Sequence, residues 1–271
     1  MFKQFIYIEN EIATHFNTLK IIEKFKDASI IYIDHYKDVF NQSGSNWRLQ
    51  KKSQKIILAK RKENFYYKGS NITPNFGYDN FYYNTLALNC VYDCDYCYLQ
   101  GLFTSAHLVI FVNNEDFISE TKKLILNKYE KFYFALSYDT DLLAIEHLLP
   151  FCKEWISFAA EIKNLVIEIR SKSANYKVLQ NITPNNNVIL AWTLSPTEII
   201  NKFEPQTPNL NLRINALKHL VDIGWRVRVC IDPILKVNKW QSEYEKLIEK
   251  INFDVGFEKL DSISLGVFRM N

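Results

Sequence analysis

Three cysteines, Cys90, Cys94 and Cys97, fall within the run Asn89-Cys-Val-Tyr-Asp-Cys-Asp-Tyr-Cys-Tyr-Leu-Gln-Gly101. Thiols at this C-x3-C-x2-C spacing cannot be shared out among separate secondary elements. One loop has to present them to one object. A zinc ion takes four N or S ligands, so three cysteines would need a distant fourth such as His107 or His147. A cubane iron–sulfur cluster takes thiolates, and three of them leave one iron without a protein ligand. An open iron suits the gripping of a substrate or cosubstrate better than simple electron transfer. On either reading the rest of the chain must scaffold this loop.

At 271 residues and 48% hydrophobic, the chain can bury a large core, and one main domain with an appendage is expected. No run of eighteen apolar residues occurs, so no membrane-spanning helix is expected. The N-terminus lacks the apolar stretch and small-residue cleavage site of a secretory signal. Five cysteines with three clustered fit a reducing cytoplasm and a metal site rather than a disulfide framework, with Cys152 and Cys230 as buried thiols.

The formal charge of +3 is mild, but its distribution is uneven. Arg48, Lys51, Lys52, Lys55, Lys60, Arg61, Lys62 and Lys68 face a single acid, Glu63, in the same stretch. Phe65, Tyr66 and Tyr67 are interleaved with them, and Phe76, Tyr78, Phe81, Tyr82 and Tyr83 follow. Basic and aromatic residues together are the composition of a nucleic-acid surface. The competing reading is an ordinary solvated face.

Hydrophobic periodicity predicts a small α/β segment over residues 1–75: strands at 5–8, 29–33 and 55–59, a helix over 11–26, and a boundary in the loop at 70–77. Residues 76–271 then alternate strand and helix. Strands are predicted at 84–89, 131–136, 165–170, 188–193, 226–231 and 262–268, with an extra short one at 107–112. Helices are predicted at 115–129 with Asn114 as N-cap, 142–160, 174–179, 212–223 and 242–251. The near-continuous apolar strands read as parallel and buried. Six such units imply an α/β fold built on an open, partial (β/α)6 barrel. Its chemistry is expected at the carboxyl ends of the strands, where polar residues cluster.

The cysteine motif, with Tyr96 before its third cysteine at the end of a first strand, resembles that of the radical S-adenosylmethionine (SAM) superfamily. Cys97-Tyr98-Leu99-Gln100 narrows the resemblance to the spore photoproduct lyase family, DNA-repair enzymes that split a thymine dimer of spores. Residues 56–60, Thr140-Asp141 with 145–147, Ser171-Lys172, Ser195, Phe203-Glu204-Pro205 and Leu212-Arg213 are similar to further family segments. The resemblance implies a 4Fe-4S cluster on Cys90, Cys94 and Cys97, with SAM chelated at the open iron and cleaved to a 5′-deoxyadenosyl radical. It implies that Tyr96 and Tyr98 flank the cluster. Thr140, Lys172 and Ser195 would contact SAM, and Arg213 would take a carboxylate.

Two departures stand out. The family's hydrogen-donor cysteine follows the second barrel strand, but Ala135-Leu-Ser-Tyr-Asp-Thr140 contains none, and Tyr138 stands nearest. Relatives also continue beyond the sixth strand, which makes a C-terminally shortened chain the expectation. DNA is the expected partner, with a flavodoxin- or ferredoxin-type reductant and a monomeric, cytoplasmic protein. The alternatives are a radical SAM enzyme on a non-DNA substrate, or an inactive cluster-bearing nucleic-acid-binding relative.

Overall fold

A computed structural model of the chain describes residues 4–41, 46–70 and 75–267. Its strands are β1 (Phe5–Glu9), β2 (Ser29–Ile33), β3 (Ile56–Ala59), β4 (Tyr67–Lys68), β5 (Asn80–Tyr83) and β6 (Ala87–Leu88). They continue as β7 (Leu108–Phe111), β8 (Phe132–Leu136), β9 (Leu165–Ser171), β10 (Val188–Thr193), β11 (Arg226–Ile234) and β12 (Ser262–Val267).

Two sheets result. The smaller runs β2-β1-β3-β7-β6, and the larger runs β12-β11-β10-β9-β8-β5-β4. In the larger sheet β5 and β8 to β12 pair in parallel, while β4 lies antiparallel on the edge. This is the expected partial (β/α)6 barrel. Its two faces follow the period of two along each strand. Phe132, Phe134, Ile167, Ile169, Val227 and Val229 join the main core against the helices. Phe81, Tyr133, Ala135, Val166 and Ile189 form a second, inner cluster. Tyr133 and Arg228 both bond to buried Glu168 there, and the Arg228 guanidinium lies 3.9 Å from the Phe76 ring centroid. Among the described residues no helix is long and apolar enough to cross a membrane.

The predicted first barrel strand is displaced. The half-barrel strand is β5, and residues 84–89 instead cross to the smaller sheet, where β6 pairs antiparallel with β7. Buried Asn84 causes the break: its side chain accepts from Ser137 N (2.7 Å) and its carbonyl from Tyr138 N (3.0 Å). That ties the chain to the end of β8 and lets it leave the sheet. Strand pairing therefore crosses residue 75 in both directions, since β4 joins the larger sheet and β6 and β7 join the smaller. Part of the predicted boundary loop, residues 71–74, lies outside the described residues.

The helices also depart from periodicity where a polar group intervenes. The predicted helix over 142–160 is two, Leu142–Ile145 and Phe151–Glu161. Glu146 accepts from the backbone of Cys152 (2.8 Å) and Lys153 (3.0 Å), beside Pro150 at the N-cap position. That carboxylate satisfies the free N–H groups of a new helix start. The first helix shortens to Phe16–Lys24 behind a His15 N-cap, and 174–179 becomes a 3-10 turn, Tyr176–Leu179. Asn113 rather than Asn114 occupies the N-cap position of Asn114–Ile125, because the Asn114 side chain bonds to Trp155 and Glu154. Helix Thr197–Phe203 lies where periodicity predicts none.

Candidate active site at the cysteine loop

The loop begins at Asn89, which holds a left-handed backbone (φ 66°) that asparagine tolerates. Its buried side chain donates to the carbonyls of Ser105 (2.7 Å) and His107 (2.8 Å), fixing the chain's exit from β6. Within the loop, Tyr92 N donates to Cys90 Sγ (3.4 Å) and Cys97 N to the Cys94 carbonyl (3.0 Å). Gln100 Nε2 reaches the Cys94 carbonyl at 2.8 Å. All three thiols are free. Burial pushes Cys90 up to about 11 and Cys94 up to about 12, and it raises Cys97 too. Such thiols stay protonated at neutral pH until a metal displaces the proton.

The N-terminal segment braces the loop from below. Helix Trp47–Lys52 places the buried Lys51 ammonium on the Cys90 carbonyl. Gln54 Nε2 spans the carbonyls of Cys90 (3.0 Å) and Ala106 (2.7 Å). In sequence Lys51 belongs to a basic stretch that suggests a surface. In the fold it is only 6% exposed, and burial lowers its ammonium below the ordinary lysine value.

Three of the expected site residues converge on Glu204, a residue to which the motifs assign no role, and a fourth, Lys172, lies nearby. Tyr96 Oη and Ser195 Oγ (2.7 Å) both donate to Glu204 Oε1, and Arg213 Nη2 pairs with Oε2 at 2.5 Å. Lys172 Nζ lies 5.7 Å from the Tyr96 ring centroid. Burial works to raise the Glu204 carboxyl, but Lys172 and Arg213 outweigh it and hold the group below its ordinary value. Arg213, expected to take a carboxylate, holds that of Glu204. Its guanidinium is fully buried and committed to Glu204, Thr193 O (3.2 Å), Thr207 Oγ1 (2.6 Å) and Pro208 O (2.8 Å).

The turn after β8 supplies the opposite wall. Buried Asp141 accepts from Ser171 Oγ (2.9 Å) and Lys172 N (2.7 Å), joining the ends of β8 and β9. Tyr98 Oη donates to the Tyr138 carbonyl (2.9 Å) and Asp139 Oδ1 (3.0 Å), and Asp139 also accepts from Thr85 Oγ1 (2.9 Å). The rings of Tyr98 and Tyr138 are 6.4 Å apart. Thr140 Oγ1 is buried with no hydrogen-bond partner. A buried hydroxyl left unpaired costs free energy that a polar partner would recover.

The loop separates two cavities. One of about 690 Å³ has Tyr96 and Phe203 in its wall with Ile234, Val237 and Trp240. The other, of about 620 Å³, has Tyr98 and Tyr138 in its wall. The donor set of three thiols, the unpaired Thr140 hydroxyl and a nucleoside-sized apolar cavity fit a cluster with SAM beside it. Among the described residues no group of three His, Cys, Asp or Glu side chains is gathered to hold a single metal ion, and His107 Nδ1 accepts from Lys55 N. The Nδ1 atom of His107, the nearer candidate for a fourth zinc ligand, is thus already engaged by the backbone.

The basic and aromatic stretch does not form one face. Lys51 is buried, Lys55 Nζ lies 5.3 Å from the Tyr7 ring centroid and Lys62 pairs with Glu11 (3.0 Å). Phe65 packs on Phe117, Tyr82 on Phe134, and Phe76, Tyr78 and Phe81 on Tyr133. Most of the rings between residues 76 and 83 are therefore spent on packing rather than on a stacking platform. Arg61, Tyr67, Lys68 and Tyr83 are different: they line the cavity beside Tyr98.

A family model described as spore photoproduct lyase matches residues 1–269. The spore photoproduct lyase of Geobacillus sp. (strain Y412MC61) is 24% identical over 168 residues, which is 61% of this chain and 49% of that protein. That of Bacillus subtilis (strain 168) is 25% identical over 168 residues, with the same two shares. The aligned part thus spans about half the length of these curated relatives. The solved structure of a spore photoproduct lyase variant with bound AdoMet and dinucleoside spore photoproduct superposes with a TM-score of 0.85 at 20% identity, covering 100% of this chain and 80% of that one. At that identity the superposition shows a shared fold.

Proposed function

The chain belongs to the spore photoproduct lyase family, and from that premise we propose that it is a radical SAM lyase of a thymine photolesion in DNA, with a 4Fe-4S cluster on Cys90, Cys94 and Cys97. The observation that carries this reading is the cysteine loop itself, braced at the carboxyl end of the half-barrel in a chain that matches the family from residue 1 to 269. Held by Cys90, Cys94 and Cys97, the cluster would supply the single electron that reductive cleavage of SAM requires.

The chain's own residues do the rest. Tyr96 and Phe203, in the wall of the apolar cavity, hold the adenosyl portion and exclude water. The Thr140 hydroxyl and the Lys172 ammonium meet the polar end of SAM. Ser195 and Arg213 act through Glu204, which fixes the Tyr96 phenol. On the other side Tyr98 is held by Asp139, and Tyr138 takes the place of the family's donor cysteine. The reading extends to a flavodoxin- or ferredoxin-type reductant and a monomer working in the cytoplasm. It also keeps 1–75 and 76–271 as a division of labour, the first bracing the loop and facing DNA, the second carrying the cluster.

Anaerobic reconstitution with iron and sulfide tests it. The expected result is about four irons per chain, SAM cleavage with dithionite, and thymine release from dimer-containing DNA, all lost in Cys94→Ala. Equal SAM cleavage by wild type and variant would sink the assignment.

A further inference from the structure

We propose that the outward face of helix Trp47–Lys52, formed by Arg48, Leu49 and Lys52, is the docking surface for an acidic one-electron carrier protein that reduces the cluster. One electron passes from the carrier to the cluster, the carrier is oxidised, and no bond forms or breaks. The docking surface rests on the function proposed above and gives its reductant a place on this chain.

Three observations carry it. First, the helix divides into two faces. At about 3.6 residues per turn, positions 47, 50 and 51 share one side and positions 48, 49 and 52 the other. The inner side is committed to the cysteine loop and its return: Lys51 bonds to the Cys90 carbonyl, and Gln50 Oε1 accepts from Ala106 N at 2.8 Å. With its side chains a helix is about 10–12 Å across. A protein seated on the outer side is therefore one helix thickness from Cys90, close enough for an electron to cross without contact between the redox groups. Second, the outer side is charged in one sense. Arg48 and Lys52 are exposed, and the helix carries no acid. Neither cation forms an ion pair among the described residues. The Asp93 carboxylate acts on Lys51, on the inner side. Third, Leu49 stands beside the two cations and is 63% exposed. An aliphatic contact with a cationic rim suits a brief encounter, in which charge steers the approach and a small patch lets the partners part. A phosphate backbone would gain nothing from Leu49, and none of the three residues lines either cavity.

The probe is a purified bacterial flavodoxin with an acidic surface, mixed anaerobically with the reconstituted full-length protein. Two quantities are read at low and high salt. One is binding of labelled, oxidised flavodoxin by fluorescence anisotropy. The other is the second-order rate at which reduced flavodoxin reduces the cluster, by stopped-flow absorbance. Arg48→Glu/Lys52→Glu should lower both by about tenfold or more at low salt, a change of the size that charge steering supplies. The gap should narrow as salt rises. Leu49→Ser should weaken binding about threefold with the salt dependence unchanged, as loss of a partly buried aliphatic contact does. Lys131→Glu/Lys163→Glu makes the same charge change at the amino ends of β8 and β9 and should leave both quantities near wild type. Reduction by dithionite should be the same in every variant, and melting curves establish that each is folded. If Arg48→Glu/Lys52→Glu behaves like the distal pair, if it slows dithionite as much as flavodoxin, or if Leu49→Ser binds like wild type, the docking surface is overturned. It is overturned too if the pair weakens binding of duplex DNA and leaves flavodoxin unaffected, which makes the face a nucleic-acid contact. SAM cleavage under dithionite separates the two readings. Flavodoxin binding that depends on Arg48 and Lys52, without SAM cleavage, refutes the proposed reaction alone. SAM cleavage with flavodoxin binding indifferent to the pair refutes the docking surface alone.

Discussion

At the scale of single residues, Glu204 and Lys51 matter most, and both are buried charges. Glu204 gathers Tyr96, Ser195 and Arg213 around one carboxylate. Removing its cation strands that carboxylate, so Arg213→Met should destabilise the protein by about 3–5 kcal/mol, read by denaturant unfolding. Glu204→Gln/Arg213→Met should recover much of the loss, because an amide tolerates burial without a cation. If the double variant is no more stable than the single, the charge pair is not the cause. Lys51 presents its ammonium to the Cys90 carbonyl, and net charge near an iron–sulfur cluster sets its reduction potential. Lys51→Met should therefore shift the midpoint potential of the reconstituted cluster to more negative values in a spectroelectrochemical titration. An unchanged potential would mean that Lys51 only braces the loop.

Among the elements, boundaries follow local hydrogen bonding more closely than hydrophobic period. Helix Leu210–Asp222 ends where the period predicts because Gly224 (φ 96°) lets the chain reverse. Gly224 N then bonds to Val221 O and Trp225 N to Leu220 O, both at 3.0 Å, which closes the helix end. Gly224→Ala has open space for its methyl group but not the backbone freedom, and should cost about 1–2 kcal/mol of unfolding free energy. A smaller loss would show that the helix end relaxes. Glycine at a helix end is readable in sequence. Glu146 as a cap for Phe151–Glu161, and Asn84 as the residue that turns a strand out of its sheet, are not. In both cases the partner atoms come from turns whose approach only the fold decides.

For the whole molecule, the smaller sheet is a platform under the site, and buried His107 sits at its junction with the loop. Burial first, and the Lys55 charge second, push its ring from 6.5 down to about 4. The unfolded ring takes up a proton near 6.5 but the folded ring only near 4. This residue's contribution to stability is therefore whole above that window and is lost as pH falls through it, by an amount on the order of 3 kcal/mol. His107→Gln keeps an acceptor for Lys55 N without a titrating ring. The difference in unfolding free energy between wild type and variant should change across pH 6.5 to 4 and be flat above it. Parallel profiles across that window would remove His107 as the cause.

By itself, the sequence determined the cysteine loop, five of the six half-barrel strands within a residue or so at their starts, and the family that those motifs resemble. These are local properties: ligand spacing, apolar period and helix-stop residues lie in contiguous chain. Only the tertiary structure decided what the charged residues do. Lys51 and Arg213 look like any other basic residue in sequence, yet one is buried under the loop and the other is consumed by Glu204. Arg61 and Lys68, by contrast, come to the rim of a cavity beside Tyr98. Whether a charge is solvated, paired or aimed at a ligand depends on which distant groups surround it and on how much water is excluded. For the loop, that placement sets its surroundings: Tyr96 lines one cavity and Tyr98 another.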